Sequence, residues 1–275
     1  MSDYSDSGVP DIMSAIEEFL ATVTVPILFD RPNGLVTTGT GTFLQAEERL
    51  LFITAAHVLD DEALDTLILP HRTNGTIHRL DTPLLYLSQT GADIAIIELR
   101  QPDMTAPAIE CWHKLTIEQI ARASLEGRFI LSGYPFETTD HTGPYLRGRL
   151  VPIHTGRLQA TPAWAERPIY SFDQFFALEK EGMGKNQKAL KVPNLVGSSG
   201  GPIWEYYDPG ETASFWTPKA NLSVVGVLAS ARKGQYIRAH SWEEVPAIFR
   251  QFDTTLAERL EEQLAKTQSE VVQVE

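Results

Sequence analysis

Short β-forming runs, broken at close intervals by Pro, Gly and Thr, fill the chain in two blocks, and that rhythm admits few folds. In the first block VPILF, from Val25, is followed by GTGTFLQAEERLLFIT, whose polar turn at Gln45 to Arg49 predicts a hairpin. Further strand-like runs lie at Thr66–Leu69, Leu84–Leu87 and Ile94–Leu99. The second block carries RFILSGYP, LRGRLVPI, HTGRLQAT, YSFDQFFAL and NLSVVGVLAS. Between Gln101 and Gly127 the texture changes, and Thr116 to Ala123 predicts a short helix in a connector. Helical spacing is confined otherwise to the ends. Ile12, Ile16, Phe19, Leu20 and Val23 share one face opposite Glu17 and Glu18. A second pattern runs from Ser241 towards Lys266 through Val245, Ile248, Phe249, Phe252, Leu256, Leu260 and Leu264, and the last residues, TQSEVVQVE, are expected to fray. The pattern predicts an all-β architecture with helices at its ends; periodicity alone does not separate a sandwich from a pair of barrels.

The net charge of −13 repels phosphate backbones, and no basic stripe with interleaved aromatics offsets it, so nucleic acid is not an expected partner. No apolar run approaches bilayer length, so no membrane partner is expected either. The opening MSDYSDSGVPDIM has no basic n-region or apolar h-region, and Cys111 is the one cysteine, so no internal disulfide can form. The expectation is a cytoplasmic protein.

Three segments carry chemistry. Gly197-Ser198-Ser199-Gly200-Gly201-Pro202 surrounds a serine with glycines, which lets backbone N–H groups converge on one point. Thr54-Ala55-Ala56-His57-Val58 ends an apolar run with an imidazole flanked by small residues, suited to moving protons near neutral pH. Ala92-Asp93-Ile94-Ala95-Ile96-Ile97 places a carboxylate at the start of a β run, where burial demands a partner such as a histidine N–H. Each has a plain alternative: a Gly/Ser turn, a structural histidine ending a strand, a surface aspartate starting one.

Together, and in this order, the segments resemble the signature segments of the trypsin-like (chymotrypsin-fold) serine peptidases. The likeness spans roughly residues 25 to 230, and Ser132-Gly133-Tyr134-Pro135 is similar to a segment common in bacterial members. The resemblance implies two six-stranded antiparallel β-barrels with a cleft between them. It divides the chain into an N-terminal helical segment (1–24), a first barrel with His57 and Asp93 (25–112), a connector (113–127), a second barrel with Ser199 (128–240) and a C-terminal helix and tail (241–275). It implies a serine endopeptidase acting on protein or peptide through an acyl-enzyme, with Ser199 as nucleophile, His57 as base and then acid, and Asp93 orienting His57. The N–H groups of Gly197 and Ser199 would form the oxyanion hole, and Ala229-Ser230-Ala231 would lie along an extended substrate. No metal or organic cofactor is implied.

Departures from the family pattern also speak. Val58 and Leu195 stand where disulfide-bonded members have cysteines, which fits a reducing compartment. Ser198 replaces the aspartate that pairs with a freed N-terminus in zymogen-activated relatives, so control would lie in the N-terminal segment, a regulatory protein partner or the loops near residues 180–195. Pro193 replaces the pocket aspartate of Arg/Lys-specific members and Leu228 the histidine of glutamate-specific ones, so a neutral, apolar primary pocket is expected.

Two other readings stay open. Gly197-x-Ser199-x-Gly201 also fits a nucleophile elbow of α/β-hydrolases, with Asp208 and His240 following, although that requires a helix directly after the serine. A catalytically silent trypsin-fold binding or scaffold protein would keep the same residues. His71, His78, His113, His141 and His154 form no HExxH-type pair, and Gly182 to Lys185 lacks the flanks of a phosphate loop and reads as a mobile loop. Phe172, Phe175 and Phe176 read as core, and Trp204, Tyr206 and Tyr207 as packing residues.

Overall fold

Runs of β-forming apolar residues in the first block build one antiparallel sheet, and the second block builds another. The computed structural model describes residues 12–32, 34–59, 64–142, 145–183, 189–207 and 217–272. The first seven strands are β1 (Val25–Arg31), β2 (Gly34–Ala46), β3 (Arg49–Thr54), β4 (Leu67–Pro70), β5 (Ile77–Arg79), β6 (Leu84–Leu87) and β7 (Ala95–Glu98). They form one sheet in the order β5-β4-β1-β2-β3-β7-β6. Next come β8 (Arg128–Gly133), a hairpin of β9 (Thr139–Thr142) and β10 (Tyr145–Gly148), then β11 (Val151–Gly156) and β12 (Asp173–Ala177). A second hairpin, β13 (Glu181–Met183) and β14 (Ala189–Lys191), precedes β15 (Pro202–Tyr206), β16 (Leu222–Arg232) and β17 (Tyr236–Ser241). The second sheet has the order β11-β8-β15-β16-β17-β12.

The chain is mostly β, with antiparallel sheets of seven and six strands rather than two closed six-stranded barrels. The strand of the first sheet that the sequence runs did not predict is β5, Ile77-His78-Arg79, too short and polar to show a period in sequence. His78 Nε2 lies 2.6 Å from the buried Asp103 Oδ1, which ties this edge to the turn of helix Gln101–Met104. Among the described residues β5 and β6, at the two ends of that sheet, do not pair. The ends of the second sheet do touch, through one antiparallel bridge between Arg157 and Phe176 and a bond from Leu158 N–H to Phe175 O at 2.8 Å.

The amphipathic N-terminal segment forms a helix over Ile12–Val23 and buries Ile16, Leu20 and Val23 completely. Burial of such side chains is worth roughly 1.5–3 kcal/mol each. Phe19 meets Trp204 edge-on at 5.8 Å, and Ser132 Oγ accepts from Trp204 Nε1–H at 3.1 Å and lies 2.8 Å from Thr24 Oγ1. One core cluster joins this helix to Leu44, Leu51 and Ile53 of the first sheet and to Ile130, Trp204 and Val224 of the second. Each sheet also has an inner cluster of its own.

The remaining differences from the sequence expectations are local. Thr116–Ala123 makes only a 3-10 turn, Ile117–Gln119, closed by reciprocal capping between Thr116 and Gln119. LRGRLVPI is broken into β10 and β11, and HTGRLQAT contributes only the end of β11. The predicted helix from Ser241 is three pieces: a 3-10 turn Trp242–Glu244, a helix Val245–Phe249 and a helix Thr254–Val272. The restart is capped by Asp253, whose Oδ1 accepts Leu256 N–H at 3.0 Å. That helix carries on through most of the segment expected to fray. Tyr207 is 47% exposed rather than packed, whereas Phe172, Phe175, Phe176 and Trp204 are buried. Of the loop expected from Gly182 to Lys185, Gly182 and Met183 lie in β13, while Gly184, Lys185 and also Asp208 lie outside the described residues.

Candidate active site

Strand register places the first two residues of the site. Thr54 of β3 faces Ala95 of β7 in an antiparallel ladder, so the residues leaving β3 run beside those approaching β7. His57, in the 3-10 turn Ala56–Val58, therefore meets Asp93. Its backbone N–H donates to Asp93 Oδ1 at 2.8 Å, and its Nδ1 lies 2.5 Å from Oδ2. A carboxylate beside Nδ1 holds the proton there and leaves the ring's lone pair on Nε2. Burial alone would raise the Asp93 carboxyl; the hydrogen bonds and charge of His57 overcome that and hold it below the ordinary carboxylate range. The imidazole is 45% exposed, so the pair opens to solvent rather than serving as core.

Ser199 sits on a turn held from both sides. On one side Gly200 N–H donates to Leu228 O at 2.8 Å and Leu228 N–H to Gly201 O at 2.9 Å. On the other, Thr40 N–H donates to Ser199 O at 2.8 Å and Thr40 Oγ1–H to Gly197 O at 3.0 Å. Thr54 Oγ1–H in turn donates to Thr40 O at 2.8 Å. Gly200, at φ +82°, presses its bare Cα against Thr40 O, Thr54 Oγ1 and Ala55 N. The serine turn thus lies directly on the segment that leads into His57. Gly197, at φ +96°, lies under the ring of Phe136. Among the described residues the N–H groups of Gly197 and Ser199 have no acceptor. Ser199 is half-buried. A hydroxyl, two unspent amides and a carboxylate-oriented imidazole on adjoining segments are the parts needed for nucleophilic acyl transfer.

Ala229, Ser230 and Ala231 follow Leu228 on β16, where the ladder with β17 shifts between Leu228 and Ser230 and leaves Ala229 without a partner position. Ala229 is buried, Ser230 half-buried and Ala231 exposed, so the run turns progressively outward. Pro193 is half-buried, and the next residue, Asn194, donates its N–H to Glu137 Oε2 at 2.5 Å. The Ser198 hydroxyl is buried against Gly133 without a hydrogen-bond partner among the described residues. A strand, β15, follows the serine turn rather than a helix. His240 instead faces Asp173, with Nδ1 2.9 Å from Oδ1 and both side chains buried; burial lowers its affinity for a proton despite Asp173 and Asp93.

Sequence reasoning missed Thr40, whose hydroxyl accepts from Tyr134 N–H at 3.1 Å while donating to Gly197 O. Its one sequence signal was the Gly-Thr-Gly-Thr run. It also missed Phe136 and Val196, exposed by 40% and 55% on either side of Gly197.

Among the described residues no group of three or more His, Cys, Asp or Glu side chains is placed to hold a metal ion. Among them, too, no helix is long and apolar enough to cross a membrane. Compared with known proteins, the chain matches no family model and no curated protein.

The lowered Asp93 carboxyl links the site to stability. A depressed folded-state pKa contributes stability that is present above the unfolded value, about 3.9, and lost as pH falls through the folded one. Denaturant unfolding of the wild type and Asp93→Asn, followed from pH 6 to 2, is expected to show a wild-type advantage that shrinks only below about pH 4. A gap that stays constant through the acid range would refute the linkage.

Proposed function

We propose that the protein is a serine endopeptidase of the trypsin-like type, hydrolysing peptide bonds through an acyl-enzyme on Ser199. His57 takes the Ser199 proton as the hydroxyl attacks the carbonyl carbon and returns it to the leaving amine. Asp93 keeps the imidazole in the required tautomer and balances the imidazolium. The Gly197 and Ser199 amides receive the oxyanion. Water then attacks the acyl-enzyme with His57 again as base, regenerating the serine. The two sheets correspond, in this reading, to the two barrels of the family, and an extended substrate lies along Ala229–Ala231, with Pro193 at the base of a neutral primary pocket. No metal or cofactor takes part. A single cysteine in 275 residues fits a cytoplasmic, reducing location.

The observation that carries the reading is the pair of hydrogen bonds between His57 and Asp93, set beside a glycine-rich serine turn whose amides are unspent. A fluorophosphonate probe is expected to label the wild type and to leave Ser199→Ala unlabelled. Failure to label the folded wild type would favour a trypsin-fold binding protein over an enzyme.

A further inference from the structure

A cavity of about 730 Å³ opens beside β2, within the size range of small-ligand sites. Its floor is apolar, with Leu28, Leu35 and Trp112, and the indole is fixed by donation from Nε1–H to Pro70 O at 2.8 Å. Its rim carries Arg72 and Arg147, both exposed, and among the described residues no Asp or Glu lines it. Neither guanidinium has a carboxylate partner among the described residues; Asp140, opposite Arg147 across the β9–β10 hairpin, is not ion-paired with it. In a chain of net charge −13, two unspent guanidinium groups over an apolar floor form a local exception.

The cavity is wired to the serine turn. Tyr134, on its wall, bonds through its N–H to Thr40, the residue that holds Gly197 O and Ser199 O. Burial pushes the Tyr134 phenol up to about 12, against the pull of the Arg72 charge. Leu228, at the head of the run Ala229–Ala231, binds the serine turn on the opposite side from Thr40. In the substrate placement proposed above, a peptide that leaves Ala229–Ala231 and passes Ser199 runs towards Thr40 of β2, which holds the serine turn. Thr37, on the cavity wall, is three residues from Thr40, about 10 Å along an extended strand.

We propose that this cavity recognises an acidic segment of the peptide on the leaving-group side of the scissile bond, with carboxylates on Arg72 and Arg147 and an apolar side chain on Leu28, Leu35 and Trp112. The leaving-group placement rests on Ser199 being the nucleophile. The rim is preformed: His71 Nδ1 accepts the N–H groups of Thr73 and Asn74, and Asn74 Oδ1 accepts from Thr76 N–H and Oγ1–H. Guanidinium–carboxylate contacts in such a setting are charge-assisted and geometrically selective.

The test uses the Ser199→Ala protein, which cannot turn over, and two fluorescent decapeptides. One carries Glu, Asp and Phe in its C-terminal half; the other has Lys at the acidic positions. Fluorescence polarisation is expected to show at least tenfold tighter binding of the acidic peptide, weakened by added salt. Arg72→Glu with Arg147→Glu is expected to abolish that preference while thermal unfolding stays unchanged, since both side chains are exposed. Equal binding of the two peptides, or a preference that survives the double charge reversal, would overturn the proposal. Failures of the two readings are distinguishable. Fluorophosphonate labelling without an acidic preference overturns the cavity proposal alone, whereas acidic-peptide binding without labelling overturns its leaving-group placement.

Discussion

Replacing His57 by alanine is expected to lower kcat on a cleaved peptide by about 10⁴- to 10⁶-fold, a loss of roughly 5–8 kcal/mol of transition-state stabilisation. The size follows from what the ring does. A serine hydroxyl near neutral pH is a poor nucleophile, and in the proposed mechanism the imidazole removes its proton during attack. Because nucleophile and base act as a unit, His57→Ala combined with Ser199→Ala is expected to cost little more than either change alone. Asp93→Asn should fall nearly as far, about 10⁴-fold, because an amide opposite Nδ1 favours the wrong tautomer. Binding of an uncleaved inhibitor should barely change in any of these variants. Residual kcat on the same cleaved peptide gives the decisive comparison; an additive double variant would show that His57 and Ser199 work independently.

Gly200→Ala is expected to be the most damaging single methyl in the molecule. The backbone there sits at φ +82°, a region that costs an L-residue about 1–2 kcal/mol by itself. A Cβ would also collide with Thr40 O and Thr54 Oγ1 and stand 2.7 Å from Ala55 N, all parts of the frame that holds His57 against the serine turn. Backbone and hydrogen-bonded hydroxyl cannot swing aside as a flexible side chain would, so a total of about 4 kcal/mol is expected, or a fall in Tm of about 10 °C. Gly75→Ala is the control. Its φ is +74°, yet nothing lies within 4 Å of the added carbon, so only the conformational cost of about 1–2 kcal/mol remains. Equal destabilisation of the two variants by calorimetry would mean that the close packing at Gly200 is not what its glycine serves.

The elements that could be read from the sequence are those whose signal is local. Runs of β-forming apolar residues marked β3 and β16, whose two faces are buried in different core clusters, and an apolar stripe at helical spacing marked Ile12–Val23, which buries one face. The partnership of His57 with Asp93 was legible for a different reason: a carboxylate at the start of a β run needs a partner such as a histidine N–H, and the resemblance to the trypsin-like peptidases implied which histidine. What the sequence concealed depends on tertiary contact. β5 is held by the buried Asp103, and β17, which carried no strand signal of its own, is held by pairing with both β12 and β16. Thr40 gave no warning, since its hydroxyl finds Gly197 O across 157 residues of chain. The cavity beside β2 draws on segments as distant as Leu28 and Arg147, and no window of sequence contains both.

The core cluster shared by the two sheets and both terminal helices has one more effect. Leu260 and Leu264 of the last long helix and Ile16 and Leu20 of the first close over the same apolar mass that Leu51 and Trp204 enter from opposite halves. Neither half owns that oil-filled seam, so neither can be peeled away without wetting the other. Cleavage of the chain in the connector, between Leu125 and Gly127, would leave two fragments clasped as one particle.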